Sequence, residues 1–213
     1  MQHQIIPLFS VPVFRANIGK LDVIETAWVK GLTYPSQGVG RDGDEDHLPP
    51  ENRGMHIIER SQLKQLKINI QNALDYFVNT VLGVTQKFKI TTSWINKTEK
   101  DEFISKHSHP NSIISGVYYI ETTPKCSPIV FSKPHTYTNI AHQSVQLTYD
   151  ENNHNLYNVE HYGINPQPGD IVMFPSWLEH TVYEQVPNLP RIALAFNSFP
   201  IGTVGRQTYQ NEL

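Results

Sequence analysis

Hydrophobic residues recur at three- and four-residue steps between residues 61 and 82. The apolar positions are Leu63, Leu66, Ile70, Ala73, Leu74, Phe77 and Val81. This spacing places them on one face of an α-helix, so it predicts an amphipathic helix whose apolar stripe packs on a core. Ser61 is a suitable N-cap, and Gly83 follows the predicted end of the helix.

After Gly83 the pattern changes to short runs rich in valine, isoleucine, tyrosine and phenylalanine, separated by turn residues. The runs that predict strands are FKITTSWIN, SIISGVYYIE, SPIVFS, HQSVQLTYD, DIVMF and RIALAFNSF. Before the helix, IIPLFSVPVFRANI predicts one extended segment and KLDVIETAWVKGL a short helix. Many short strands with few helices predict a mainly β fold, a sandwich or barrel with supporting helices.

The length of 213 residues predicts one domain over residues 1–213. Residues 1–89 should supply an N-terminal strand, a long loop and the supporting helix, and residues 90–200 the β core. The loop, residues 35–54, is rich in glycine, proline and charged residues, which is typical of a lid or a surface loop.

The charge and composition of the chain bear on whether it binds nucleic acid or membranes and on the compartment in which it works. The net charge of −3 gives no general attraction to nucleic acid or anionic membranes. No apolar run approaches the roughly 18 residues of a membrane-spanning helix, and the N-terminus lacks the basic segment of a signal peptide. The single cysteine, Cys126, excludes an internal disulfide and suits a reducing compartment, so we expect a cytoplasmic protein. Exposed edge strands would be compatible with a homodimer.

Two histidines two residues apart precede the strand SIISGVYYIE. In an extended chain, positions i and i+2 point to the same face, so His107 and His109 would aim the same way. If this phase continues, Ser115 and Tyr119 share that face. Histidine is a common metal ligand, and His180 lies downstream at the start of another predicted strand. The pattern predicts a metal site, with an ordinary polar loop as the alternative.

The last predicted strand, RIALAFNSF, begins with Arg191. Because alternate residues of a strand point to the same face, one face of this strand would carry Arg191, Ala193, Ala195 and Asn197. A charged residue facing the interior of a barrel needs an anionic partner, because burying an unpaired charge is costly. The small alanines would leave room for that partner.

These residues together resemble the non-haem Fe(II), 2-oxoglutarate-dependent oxygenases, most closely their prolyl-hydroxylase-like branch. The resemblance covers roughly residues 90–200 and rests on HSHPNS followed by SGVYYI, on PGDIVMFPSWLEH, and on the arginine strand ending in AFN. It implies a distorted double-stranded β-helix, the cupin-like jelly roll, which agrees with the β pattern. It also implies Fe(II) and 2-oxoglutarate as cofactor and cosubstrate, with dioxygen and an unidentified second substrate as partners.

Roles carry over from the resemblance position by position. His107 matches the first histidine of the His-X-Asp/Glu motif, and His180 matches the distal histidine. Arg191 matches the basic residue that pairs with the distal carboxylate of 2-oxoglutarate, and Tyr119 matches a tyrosine that assists it. The expected reaction is hydroxylation by a dioxygenase. Asn96, Asn111, Ser115 and Asn197 are further candidates for the pocket lining.

The chain departs from the family pattern at two positions. Where the motif has a carboxylate, this chain has His109, so the ligands are either His107, His109 and His180 or a set in which His109 pairs with Asn111. We favour the first, since three histidines can also hold Fe(II). Where the family has an arginine-X-serine pattern, this chain has Ala193, which has no side-chain donor.

Two other functions are compatible with the sequence. One is a cupin-like metal-dependent isomerase or lyase, which has no fixed need for Arg191 in its pocket. The other is a non-catalytic jelly-roll binding protein that has lost the carboxylate ligand.

Overall fold

The computed structural model describes residues 1–2, 4–6, 9–34, 56–134, 148, 150, 152–185 and 190–213. The predicted lid-like loop, residues 35–54, therefore lies outside the described residues, and so does most of the predicted strand at 142–150. Apart from residues 7 and 8 of the N-terminal extended segment, the other predicted elements fall within the described ranges.

Both α-helices of the described residues come from the first half of the chain. The first, α1, spans Val23–Lys30 and begins at Asp22, which forms a capping box with Glu25. The second, α2, spans Lys64–Asp75 and continues as a π-helical segment, Tyr76–Val81. None of the helices in the described part of the chain is long and apolar enough to cross a membrane.

The start of α2 differs from the prediction, because Ser61 is not its N-cap. Residues Ser61–Leu63 form a 3-10 turn, and α2 begins after Leu63 with no side-chain cap. The Ser61 hydroxyl donates to the side chain of Gln62, 3.2 Å away, instead of accepting from the helix backbone.

The strands follow one another along most of the chain. Their bounds are β1 Phe14–Asn17, β2 Lys87–Thr98, β3 Ile104–His107, β4 Ile114–Glu121, β5 Ile129–Ser132, β6 His161–Ile164, β7 Asp170–Pro175, β8 His180–Val182, β9 Arg191–Ile201, β10 Thr203–Val204 and β11 Asn211–Glu212. One sheet has the order β1-β7-β4-β9-β2, a second has the order β3-β8-β5-β6, and β10 pairs with β11. All of the pairings between these strands are antiparallel, and the predicted jelly-roll fold is confirmed.

The five-stranded sheet has a separate hydrophobic cluster on each face. Along β9, Ile192, Leu194 and Phe196 belong to a cluster that also includes the apolar stripe of α2. Ala193 and Ala195 point the other way and join a second cluster, which contains residues from both sheets. This alternation is the strand phase predicted for RIALAFNSF, and it turns Arg191 toward the interior between the sheets.

Side chains of the first cluster pack directly against Gly116 on β4. A Cβ atom there would overlap Cζ of Phe196 and lie 2.9 Å from Cγ of Met173, so alanine would require the core to move. We expect Gly116→Ala to lower the free energy of unfolding by about 1–3 kcal/mol, the usual cost of overpacking. Urea unfolding measures this, with Gly163→Ala as the control, because a Cβ at Gly163 meets its nearest atom at 3.5 Å. Equal effects of the two substitutions would contradict the packing argument.

Candidate functional site

Three imidazoles meet where β3 and β8 run side by side. His107 ends β3, His180 begins β8, and the two residues are directly paired across the sheet. His109 lies in the turn after β3. One nitrogen from each of the three rings lies within 4.8 Å of the others. The structure thus brings the predicted histidines together in one cluster.

Hydrogen bonds orient two of these rings. Nδ1 of His107 lies 2.8 Å from the carbonyl oxygen of Ser105, and Nδ1 of His180 lies 3.0 Å from that of Leu178. A carbonyl oxygen can only accept, so each Nδ1 must carry the proton and donate it. Each Nε2 then keeps its lone pair, which is the arrangement usual for histidines that bind metals.

The spacing of the ring nitrogens is compatible with a shared ion. Nε2 of His109 and Nε2 of His180 lie 3.4 Å apart. Two nitrogens that each bind one ion at about 2.1 Å, at angles of roughly 90–110°, lie about 3.0–3.4 Å apart. This pair of nitrogens is therefore spaced to bind one transition-metal ion, and a ring nitrogen of His107 lies within 4.8 Å of both.

Aromatic side chains pack around the cluster. The rings of His109 and His180 are nearly parallel, with centroids 5.2 Å apart. Phe174 contacts His180 edge-on at 4.6 Å, and Trp94 lies 5.7 Å from His109. Phe174 and Trp94 belong to the interior cluster between the sheets, so they fix the imidazoles and exclude water from the inner side of the site.

Burial keeps His180 uncharged. Its side chain is 4% exposed, and this burial, together with the nearby His107, lowers the pKa of His180 to about 4, against the opposing effect of its hydrogen bond to Leu178. A neutral imidazole is the form that binds metal ions, so His180 is ready to ligate over the whole neutral range.

The depressed pKa of His180 predicts a pH-dependent stability for the metal-free protein. Unfolded His180 takes up a proton near pH 6.5, and folded His180 only near pH 4, so this contribution is present above pH 6.5 and is lost as the pH falls toward 4. The loss should reach about 3 kcal/mol. Urea unfolding with chelator should show His180→Asn losing less stability than wild type over this range. The exposed His154→Asn is the control, and identical profiles for all three proteins would contradict the prediction.

A chain of hydroxyl groups holds the turn that carries His109. The backbone N–H of His109 donates to the carbonyl of Ser176, at 2.9 Å. The hydroxyl of Ser176 donates to that of Ser112 and lies 2.8 Å from that of Ser115. Ser176 follows β7 and leads toward His180, so it ties the two ligand-bearing turns together. Ser176 was not identified from the sequence, where its one signal is its place four residues before His180.

Asn111, the alternative partner of His109, lies in the turn that follows β3. It is exposed and has a left-handed backbone with φ of 53°. Asparagine tolerates this conformation in turns, which accounts for the residue without a ligand role. The geometry therefore favours the histidine triad over the pairing of His109 with Asn111.

A buried cation lies at the far end of the same interior. Arg191 is 2% exposed, its Nε has no hydrogen-bond partner, and no carboxylate of the described residues pairs with it. Its guanidinium lies 5.0 Å from the ring centroid of Tyr119, which is completely buried and whose hydroxyl also has no partner. Burial raises the pKa of Tyr119 even though Arg191 opposes the shift, so its hydroxyl stays protonated.

This end of the interior fits an anion. Leaving a buried charge unpaired is costly, and a carboxylate would satisfy both Arg191 and the hydroxyl of Tyr119. Ala193 and Ala195 follow Arg191 on the same face of β9, and their side chains are small. The residues present thus fit both a metal ion and a dicarboxylate such as 2-oxoglutarate.

The remaining candidates lie along the inner face of the five-stranded sheet. The hydroxyl of Ser115 donates to Oδ1 of Asn197 at 2.8 Å, and Nδ2 of Asn197 donates to Thr92 at 3.0 Å. Asn96 is half-buried and pairs across the sheet with Ala193. Ser115 and Asn197 therefore form one polar group at the end of the face opposite Arg191, while Asn96 lies near the arginine end.

The family described as "Putative 2OG-Fe(II) oxygenase" matches residues 92–197, about half of the chain. The matched segment runs from β2 to β9 and includes the three histidines, Tyr119 and Arg191. No curated protein sequence matches the chain.

Solved structures similar to this chain include HygX from Streptomyces hygroscopicus with nickel and 2-oxoglutarate bound. It is 10% identical, with a TM-score of 0.55 over 89% of this chain and 82% of HygX. SnoN, the non-heme alpha ketoglutarate dependent epimerase from nogalamycin biosynthesis, is 9% identical, with a TM-score of 0.53 over 89% of this chain and 78% of SnoN. These two comparisons show a shared fold.

A third similar structure is an oxidoreductase of the 2OG-Fe(II) oxygenase family from Burkholderia pseudomallei. It is 14% identical, with a TM-score of 0.42 over 67% of this chain, and the chain spans 53% of its length.

Because the family match extends over the strands that carry the histidine cluster and Arg191, the chain belongs to the 2-oxoglutarate- and Fe(II)-dependent oxygenases, as the sequence resemblance implied.

Proposed function

We propose that this protein is a non-haem Fe(II) and 2-oxoglutarate-dependent dioxygenase that hydroxylates its substrate. The observation that carries the proposal is the buried, unpaired Arg191 beside Tyr119, in the same interior as the histidine cluster. A cupin-like isomerase or a simple binding protein has no need to bury a cation at this position. A dicarboxylate cosubstrate would pair with the charge of Arg191.

In this proposal His107, His109 and His180 hold the metal. When bound there, ferrous iron supplies the redox chemistry that couples dioxygen to the decarboxylation of 2-oxoglutarate and the oxidation of a second substrate. Three neutral ligands leave the ion with more positive charge than two histidines and a carboxylate would. The hydrogen bonds to Ser105 and Leu178 keep two of the rings in the tautomer that can ligate.

Arg191 and Tyr119 bind and orient the cosubstrate. The planar guanidinium is suited to a carboxylate because it can donate two parallel hydrogen bonds. The protonated hydroxyl of Tyr119 donates a further one. The aromatic residues of the interior, including Trp94 and Phe174, exclude water and so strengthen these charge-assisted bonds.

We infer that the second substrate approaches near Asn197 and Thr92. Both residues are half-buried and lie at the opposite end of the inner face from Arg191. Their amide and hydroxyl groups can bind a polar group of the substrate. The turn that carries His109 is hydrogen-bonded to the same network through Ser115 and Ser176. A substrate bound to Asn197 would therefore influence the position of His109.

The proposed reaction is tested by following 2-oxoglutarate turnover with isotopically labelled dioxygen. The iron-loaded protein should form succinate that contains one labelled oxygen atom, and the reaction should stop when iron or 2-oxoglutarate is left out. Incubation with a metabolite extract should then reveal a compound that gains one oxygen atom. Succinate formation without such a gain in mass would favour an epimerase, and absence of succinate would favour a binding protein.

A further inference from the structure

Buried polar atoms without a hydrogen-bond partner gather near the arginine end of the jelly roll. Besides Arg191 Nε and the hydroxyl of Tyr119, they include Nε2 of Gln185 and the hydroxyl of Thr123. Buried donors are costly when they are left unpaired, so several of them in one region indicate a polar ligand. Arg191 and Tyr119 are assigned above to the cosubstrate, whereas Gln185 and Thr123 have no role yet.

The backbone of Gln185 is fixed beside the end of β2. Its carbonyl accepts from the N–H of Asp101 at 2.8 Å, and its N–H donates to the carbonyl of Glu102 at 2.9 Å. The last residue of β2, Thr98, is the cross-strand partner of Arg191. Gln185 is therefore held at the same end of the fold as Arg191.

The side chain of Gln185 is held in one orientation. It is 0% exposed, and its Oε1 accepts from the backbone N–H of Ser127 at 3.0 Å. Ser127 follows Cys126, whose thiol is close enough to Arg191 for the guanidinium to oppose the rise that burial causes in the pKa of Cys126. Since Oε1 is bonded to Ser127, the carboxamide has one group left to offer a ligand near Arg191, the N–H donors of Nε2.

The residue two positions after Arg191, on the same face of β9, is Ala193, whose side chain has no hydrogen-bond donor. A carboxylate has two oxygens and accepts up to about four hydrogen bonds. Arg191 and Tyr119 alone leave part of this capacity unused.

We propose that Gln185 donates a hydrogen bond from Nε2 to the distal carboxylate of 2-oxoglutarate and so replaces the donor missing at Ala193. This inference rests on the proposed function. Gln185 is a better candidate than Thr123 because its side chain is completely buried and fixed by Ser127, while Thr123 is only half-buried.

The test compares two ligands on the iron-loaded protein without oxygen. 2-Oxoglutarate carries the distal carboxylate, and 2-oxovalerate has a methyl group in its place. Gln185→Glu keeps the acceptor for Ser127 but loses the donor, and Gln185→Met keeps the length of the side chain. Calorimetry should show 2-oxoglutarate binding about tenfold weaker or worse in both variants, with 2-oxovalerate changed by less than about twofold and iron still bound. Thr123→Val serves as the matched control.

Several outcomes would overturn the inference. Parallel loss of both ligands would show that Gln185 only supports the fold, and unchanged 2-oxoglutarate binding in Gln185→Met would show that it makes no contact. Selective loss in Thr123→Val, with none in the Gln185 variants, would assign the donor to Thr123. Failure of the iron-loaded wild type to bind 2-oxoglutarate would instead refute the proposed function itself.

Discussion

Replacing His180 with alanine is expected to abolish metal binding. His180 is the most buried of the three histidines and holds the neutral form that binds metals. Loss of a hydrogen-bond partner behind a metal ligand typically costs 10–100-fold in affinity, so loss of the ligand itself should cost more than about 100-fold. Metal analysis after dialysis, together with Fe(II) titration under anaerobic conditions, measures the effect.

The exposed His154 provides the control for this substitution, because His154→Ala removes an imidazole without touching the cluster. Near-ultraviolet circular dichroism should show that both variants remain folded. Full metal occupancy in His180→Ala, or equal losses in the two variants, would refute the assignment of the metal site.

Replacing Arg191 with methionine should weaken 2-oxoglutarate binding by roughly 30-fold or more, since removing one partner of a buried charged pair costs on the order of 2–5 kcal/mol. Methionine fills much of the same space, and iron binding should be unchanged because Arg191 is not part of the histidine cluster. The melting temperature provides the readout. At 100 times its Kd the ligand should stabilise the iron-loaded wild type by about 2.7 kcal/mol, a rise of roughly 5–10 °C.

At the same concentration of 2-oxoglutarate, the shift in Arg191→Met should fall to about a third of the wild-type value or less. Arg15, which is partly exposed and pairs with Asp170 on β7, offers a matched control. Arg15→Met also removes a guanidinium from the five-stranded sheet, but it should keep the full ligand-induced shift. Equal shifts in all three proteins would remove Arg191 from the cosubstrate site.

The strand phase of β9 could be predicted from sequence because its two faces differ in chemistry. Ile192, Leu194 and Phe196 alternate with small residues, and the period of a strand assigns each set to one side. The inward direction of Arg191 followed from that alternation alone. The shared face of His107 and His109 followed from the same period.

The direct pairing of His107 with His180 could not be predicted in this way. It depends on the register between β3 and β8, which are more than 70 residues apart, and no local pattern encodes that register. Four short strands, β3, β6, β10 and β11, were also missed, and β3 and β6 belong to the sheet that carries the histidines. Their sequences, ISKH and HYGI, are mostly polar or exposed, and they are strands because their neighbours pair with them.

The polar residues that support the site were the hardest to find from sequence. Ser176 and Gln185 lie in segments whose composition looks like surface loop, yet they are 1% and 0% exposed. Each can be buried at low cost because a backbone N–H far along the chain hydrogen-bonds to it, from His109 and Ser127 respectively. Burial of this kind is a property of the assembled fold.

Anaerobic titration of the Fe(II)-loaded protein with 2-oxoglutarate, followed by visible absorption, tests the central claim most directly. If His107, His109 and His180 hold iron while Arg191 anchors the cosubstrate, a metal-to-ligand charge-transfer band should appear and saturate at one ligand per iron. It should be absent from His180→Ala and should need far more ligand in Arg191→Met. An iron-loaded wild type that shows no band at saturating 2-oxoglutarate would contradict the account.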